Sequence, residues 1–240
     1  MRFEIKCKLD KKIISIDYRR KILSFFKKSL ENYNIEIKKA IYDEPQEKGF
    51  TFSVYLPVEK ILGNKIYLKN NDIKIFLSVE NLMEGLHFYN AIIGSKDDKF
   101  LMGENYFILK DIIKREEKII TNDYAYFKTL SPIVIREVNE KKSEWYHDFD
   151  KDGVAVLKQN IVYNLINKFS KEKLEELEIK PIDIKRTVVS FYGIKFPVTI
   201  GKILIKGDKE ILNYLYKAGF GSKSSAGFGM LEVVEERNIG

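Results

Sequence analysis

The sequence predicts an α+β fold of two tandem ferredoxin-like (RRM-like) βαββαβ domains, residues 1–122 and 123–240. Three observations predict it. Along the first half, apolar spacing alternates between period 2 and period 3.6 in the order strand, helix, strand, strand, helix, strand. The same order returns in the second half without detectable sequence identity. And 240 residues, 45% hydrophobic and 13% aromatic, are enough for two cores of about 120 residues each.

The elements follow in order. Arg2 to Asp10 alternates, with Phe3, Ile5, Cys7 and Leu9 on one face and Arg2, Glu4, Lys6 and Lys8 on the other, which predicts a half-buried strand. Asp17 is placed to cap a helix running to about Glu31, with Tyr18, Ile22, Phe25, Phe26 and Leu30 as its apolar stripe. Its other face carries Arg19, Arg20, Lys21, Lys27 and Lys28. A loop with Pro45 and Gly49 leads to a strand from Phe50 to Leu56. Ile73 to Val79 is the third strand, Glu80 to about Ile93 the second helix, ending at Gly94, and Tyr106 to Ile113 the fourth strand. The boundary falls near Thr121 to Tyr124. Beyond it come a strand from Tyr126 to Val138 bent at Pro132, a helix from Gly153 to Phe169, two strands (Pro181 to Tyr192, Lys195 to Lys206) around a turn at Gly193, a helix from Asp208 to Lys217, and a last strand from Phe228 to Val234. Lys114 to Lys118 and Arg136 to Lys142 read as loops or solvated faces.

Composition narrows the function. Lys and Arg number 42 against 35 Asp and Glu, a formal net charge of +7. That excess permits a polyanionic partner without demanding one. A single cysteine, Cys7, excludes an internal disulfide and any zinc site built on cysteines, and its place in an inward alternation makes it a small core residue. No run of 18 apolar residues predicts a membrane span, and no signal peptide is read, so the expectation is a cytoplasmic protein. With two histidines far apart in the chain, His87 and His147, no metal site and no cofactor are predicted. His87 lies inside a predicted helix and reads as structural; His147, among Trp145, Tyr146 and Asp148, reads as a loop residue.

The most distinctive stretch is Ala218 to Met230, A-G-F-G-S-K-S-S-A-G-F-G-M, which holds four of the 14 glycines. Gly219, Gly221, Gly227 and Gly229 form two G-F-G triplets around Ser222, Lys223, Ser224 and Ser225. One reading is a helix C-cap followed by a turn. The other is a nest of backbone N–H groups which, with Lys223 and three hydroxyls, suits a phosphate oxygen. Two familiar phosphate motifs fail. In a dinucleotide loop the third glycine would fall at Ser224, and the order here is helix, loop, strand. In a P-loop, Lys and Ser would follow Gly221 directly, but Ser222 intervenes.

This stretch, following a helix and lying just before the last strand, resembles the signature loop of the Cas6 family of CRISPR RNA endoribonucleases. Three more segments resemble the same family: Phe127 to Ile133, like the strand opening its second domain; Lys48 to Ser53, like the strand after its catalytic loop; and Asp17 to Arg20 leading into Phe25 to Lys28, like its first helix. The resemblance implies a protein that binds the repeat of a precursor CRISPR transcript and cuts it without metal. The ribose 2′-hydroxyl attacks the adjacent phosphate, giving a 2′,3′-cyclic phosphate and a 5′-hydroxyl. It implies repeat RNA as partner, a CRISPR effector complex as recipient, a monomer or homodimer, and no membrane.

The sequence departs from the family where many members carry a histidine between the first helix and second strand. Here that position falls on or next to Tyr42. Tyrosine, with an ordinary pKa near 10, is a poor base unless a cation stabilises the phenolate. Lys48 occupies the slot of the family's catalytic lysine. The resemblance therefore implies Tyr42, Lys48 and Lys28 as catalytic residues. It implies Arg19, Arg20, Lys27 and the glycine stretch, from Gly219 and Gly221 through Ser222, Lys223, Ser224 and Ser225 to Gly227 and Gly229, as the RNA-binding set. The alternative is a protein that binds the repeat, cuts it poorly or not at all, and delivers it to an effector complex.

Overall fold

A computed structural model describes residues 1–43, 48–139, 141 and 143–235. The chain forms two compact units. The first comprises Met1–Glu117 with Ser190–Ile194 and Ser225–Gly227; the second comprises Lys118–Val189, Lys195–Ser224 and Phe228 onward.

In the first unit the elements are β1 (Arg2–Leu9), β2 (Ile13–Ser15), α1 (Tyr18–Tyr33), α2 (Ile35–Tyr42), β3 (Phe50–Tyr55), β4 (Val58–Leu62), β5 (Lys65–Leu68), β6 (Asp72–Val79), α3 (Leu82–Ile93), β7 (Lys99–Leu101) and β8 (Tyr106–Arg115). The main sheet runs β3-β6-β1-β8-β7, antiparallel throughout. With β3, β6 and β8 as the second, third and fourth strands, this is the ferredoxin-like order. β1 is the centre of the sheet, so Ile5 faces Ile75 on one side and Ile112 on the other. Phe3, Ile5, Cys7 and Leu9 are buried as their alternation requires. Arg2 and Glu4 are buried too, against the expectation of a solvated face. On this central strand Lys74 and Arg115, from the two neighbouring strands, reach the Glu4 carboxylate at 2.9 and 3.3 Å.

The core of this unit is aromatic. Phe26 meets Phe52 and Phe88 edge-on at 5.3 and 5.9 Å, and Phe25 meets Phe107 at 5.1 Å. Each such ring removed from water contributes roughly 1.5–3 kcal/mol. Helix α1 starts where predicted, but Asp17 does not cap it; its carboxylate accepts from Arg20 Nη1 at 2.9 Å instead. Helix α2 was not legible as a helix. Asn34 both ends α1 and caps α2, its side chain accepting from the N–H groups of Glu36 and Ile37. Pro45 lies outside the described residues. Also unforeseen were β7 and a small three-stranded sheet, β2-β5-β4.

The second unit holds β9 (Tyr124–Thr129), β10 (Ile135–Val138), β11 (Glu144–His147), α4 (Lys151–Leu165), α5 (Lys171–Glu175), β12 (Glu178–Phe191) and β13 (Ile194–Lys206) apart from their tip at Ser190–Ile194, α6 (Lys209–Ala218) and β14 (Leu231–Val234). Its four-stranded sheet, β12-β13-β9-β14, repeats the ferredoxin-like order. Leu157, Ile161 and Leu165 of α4 and Ile211, Leu212 and Leu215 of α6 pack with Phe127, Ile203 and Ile205 of the sheet. Tyr192 and Gly193, both at positive φ, make the two-residue turn of the β12–β13 hairpin.

Two expectations fail here for one reason. The strand foreseen from Tyr126 to Val138 is divided after Thr129, and Ile133 is held by a lone bridge to Thr199. Its second part, β10, then pairs with β11 in a separate hairpin, Arg136 opposite Tyr146 and Ile135 opposite His147. Arg136 to Val138 is thus a strand and not a loop, and so is Trp145 to His147. Glu140 and Lys142, between them, lie outside the described residues. At the other end of the first unit, the stretch foreseen as loop from Lys114 is strand as far as Arg115.

Candidate nucleic-acid interface

In the first unit, α1 and α2 bring Lys27 and Tyr42 together. Lys27 Nζ stands 4.9 Å from the centroid of the Tyr42 ring, within cation–π range. The ring meets Phe50 edge-on at 5.7 Å. The Tyr42 ring is part-exposed, but its hydroxyl is buried and has no hydrogen-bond partner among the described residues. Burial pushes its pKa well above the ordinary tyrosine value. A neutral phenol of that kind can donate a hydrogen bond; both giving and taking a proton pass through the phenolate that burial disfavours. Lys28, one residue on, is turned to Glu31 at 2.8 Å on the exposed side of α1. Lys48 is half-buried at the entrance to β3.

Arg19 and Arg20 are held by protein groups within the same unit. Arg19 Nε donates to the Gly227 carbonyl at 3.2 Å. Arg20 pairs with Asp17 and lies 4.2 Å from the Tyr192 ring centroid. Gly227 itself sits against the core: a Cβ there would lie 2.6 Å from Phe52.

Apart from Ser225–Gly227, the glycine stretch belongs to the second unit. Gly219, Gly221, Gly227 and Gly229 all take positive φ. At the centre of each triplet, Phe220 and Phe228 are fully buried, so the two phenylalanines pin the loop at both ends. The Phe220 N–H donates to Gly229 O at 2.8 Å, and Gly229 N–H to Pro132 O at 2.8 Å. Ser222 N–H donates to Val134 O, and Met230 N–H to the Ser131 hydroxyl. Four of the stretch's amides thus serve its own architecture, not a phosphate nest. Ser224 and Ser225 fall in a 3-10 turn.

Lys223, at φ +62, reaches the β10–β11 hairpin. Its ammonium is 3.5 Å from Glu144 Oε2 and 5.7 Å from the Tyr146 ring centroid. Arg136 Nη1 contacts the other Glu144 oxygen at 2.6 Å, and the Tyr146 hydroxyl donates to Glu144. Tyr146 is stacked on Phe196 at 4.3 Å. The Tyr146 hydrogen bond, with Arg136 and Lys223, holds the Glu144 carboxyl down to about 2. Burial and the nearby Arg136 push Lys223 down, only partly offset by Glu144. His147 pairs with Glu137 at 2.8 Å in the same hairpin, and His87 sits on α3 beside Tyr33. Among the described residues no group of three or more His, Cys, Asp or Glu side chains could hold a metal ion.

Arg136, Glu144 and Tyr146 escaped sequence reasoning. The run Glu144 to His147 carries two aromatic residues of high β propensity, a signal for a strand that its short length and charged surroundings concealed. What the sequence did foresee, Lys223, is joined to them only by folding.

Two ferredoxin-like units, the second carrying a phenylalanine-pinned glycine loop between its last helix and last strand, define a tandem ferredoxin-like protein with a signature loop. The model of the family described as "CRISPR associated protein Cas6, C-terminal" matches residues 114–233. The chain belongs to the Cas6 family. Over 99% of its length it is 28% identical to all of an endoribonuclease-like Cas6 protein of Pyrococcus furiosus. It is 25% identical, over 99% of its length and 94% of the relative, to the CRISPR-associated endoribonuclease "Cas6 1" of Methanocaldococcus jannaschii. A solved structure described as an RAMP protein binding different RNA substrates superposes with a TM-score of 0.81 at 25% identity, covering 98% of this chain and all of the other. Among the described residues no helix is long and apolar enough to cross a membrane.

Proposed function

We propose that this protein acts in the cytoplasm, binds the repeat RNA of a precursor CRISPR transcript and cuts it once per repeat without metal. The observation that carries this reading is family membership together with relatives, named as endoribonucleases or endoribonuclease-like, that align along nearly the whole chain. The 2′-oxygen forms a bond to phosphorus as the P–O5′ bond breaks, leaving a 2′,3′-cyclic phosphate and a 5′-hydroxyl. The 2′-hydroxyl loses a proton and the 5′-oxygen gains one. Tyr42, neutral, gives a hydrogen bond to the reacting phosphate once its hydroxyl is turned outward, and Lys48 takes part in the proton transfer. Lys27 beside the ring stabilises the phosphorane, and Lys28 adds positive potential from the exposed side of α1. The segments 1–122 and 123–240 act as the two domains, the second supplying the glycine loop to the RNA.

A second reading has an observation of its own. The Tyr42 hydroxyl is buried, and both histidines lie elsewhere, on α3 and β11. That suits a protein that binds the repeat and delivers it uncut to an effector complex. Incubation with repeat RNA in EDTA separates the readings. A single cut with a cyclic phosphate end is the expected result. Intact RNA in a tight complex would establish the second reading, and absence of binding would overturn both.

A further inference from the structure

Glu144 is the focus of three donors from three places in the second unit. Arg136 comes from β10, Tyr146 from β11 and Lys223 from the glycine stretch, and all three turn their polar ends to one carboxylate. The donor set is richer than an ordinary surface ion pair. Guanidinium, ammonium and phenol hydroxyl together match the oxygens of a phosphodiester. The charges do not balance: two cations share one anion. Lys223 is the most enclosed of the charged groups, its side chain 19% exposed, and its left-handed backbone is rare for a lysine. Such a conformation persists where the surroundings over-determine it, as they do at ligand clamps. The Tyr146 ring, backed by Phe196, adds a flat face beside the charges.

We infer that Arg136, Lys223 and Tyr146 form a subsite for one phosphodiester of bound RNA, and that Glu144 fills it as the chain's own anion until the RNA takes its place. The inference rests on the RNA-binding reading above. Glu144 is a positioning residue: it keeps the two cations and the hydroxyl converged while the site is empty, and it competes with the phosphate that replaces it. Its removal tightens binding, whereas removal of Lys223 or Arg136 weakens it.

The test uses the full-length protein and a repeat RNA carrying one 2′-deoxy nucleotide at the cut position, so that binding is read without cleavage. Trp145, the chain's single tryptophan, is 61% exposed between Glu144 and Tyr146, and its fluorescence reports on the hairpin directly. Glu144→Gln is expected to tighten binding about three- to tenfold, the scale of two exposed ion pairs released from competition. Glu137→Gln makes the same change in net charge next to His147 and is expected to change affinity less than about twofold. In a Lys223→Ala, Arg136→Ala background, Glu144→Gln is expected to bring no gain. An unchanged or weaker Glu144→Gln complex overturns the inference, as does an equal gain from Glu137→Gln or a gain that survives loss of the two cations. Glu144→Ala, with a thermal melt, repeats the measurement should the glutamine disturb the hairpin. If the unaltered protein fails to bind RNA, the functional reading falls and takes this inference with it. If it binds and Glu144→Gln does not tighten it, this inference falls alone.

Discussion

Replacing Gly229 by alanine tests whether the glycine stretch is built as the structure shows. Gly229 has φ +68, and an added Cβ would lie 2.0 Å from the Phe220 carbonyl oxygen, with the Phe220 carbon and nitrogen at 2.8 and 2.9 Å. These are backbone atoms of a fully buried residue, tied to Gly229 by the hydrogen bond from Phe220 N–H. They have nowhere to retreat. An L-residue in the left-handed region costs roughly 1–2 kcal/mol. Forcing the strands of the loop apart adds about 1–3 kcal/mol, as overpacking does, and the lost amide bond about 1 kcal/mol. The sum is about 3–6 kcal/mol, which at roughly 4 °C or more per kcal/mol lowers the midpoint of a domain this size by more than about 10 °C. Gly193→Ala is the internal control. Gly193 has φ +77, but nothing lies within 4 Å of its Cβ, so it carries the backbone cost alone, about 1–2 kcal/mol. Both variants are followed by thermal unfolding in the far-UV. A Gly229→Ala melt within about 3 °C of Gly193→Ala would refute the close backbone approach inferred for the two triplets.

Other outcomes follow from the same geometry. Lys27→Ala should slow repeat cutting by about ten- to a hundredfold, and Lys28→Ala by far less, because only Lys27 stands over the Tyr42 ring; a gel assay showing the reverse order would reassign the two. Repeat-RNA affinity should fall with log salt at a slope of about 0.7 per phosphate contact, and a salt-independent affinity would remove the phosphate contacts from the argument. Glu144 has its carboxyl depressed from 4.5 to about 2. Its stabilising contribution is therefore present above 4.5 and lost as pH falls towards 2. An acid titration of Trp145 fluorescence should show a transition in that window that is absent in Glu144→Gln. Cys7 is buried and its thiol is pushed up to about 12, so a thiol reagent at pH 8 should modify the protein only after denaturant is added. Rapid labelling of the native protein would contradict the packing of β1.

How much was legible in the sequence can be read from particular residues. Phe3, Ile5, Cys7 and Leu9 announced β1 because strand periodicity is local, and the apolar stripe of α1 announced that helix for the same reason. The two Asn-capped helices differ in visibility. Asn81 introduces α3 at the head of a long apolar pattern, whereas Asn34 introduces an eight-residue α2, too short for its period to stand out. The glycine stretch was recognisable as a loop with a special backbone, since positive φ writes itself into sequence as glycine.

Local pattern by itself determined the two βαββαβ halves and the place of the signature loop, because strand and helix periods are properties of neighbouring residues. What the loop's parts do was decided by tertiary structure. Folding set Phe220 and Phe228 as buried pins, turned four amides inward, held Arg19 and Arg20 on protein groups, and chose Lys27 over Lys28 as the neighbour of Tyr42. It also brought Lys223 onto Glu144, Arg136 and Tyr146, about eighty residues away in the chain. The physical reason is range: periodicity is set within a few residues, while burial, charge pairing and close backbone approach depend on partners that only the folded chain brings together.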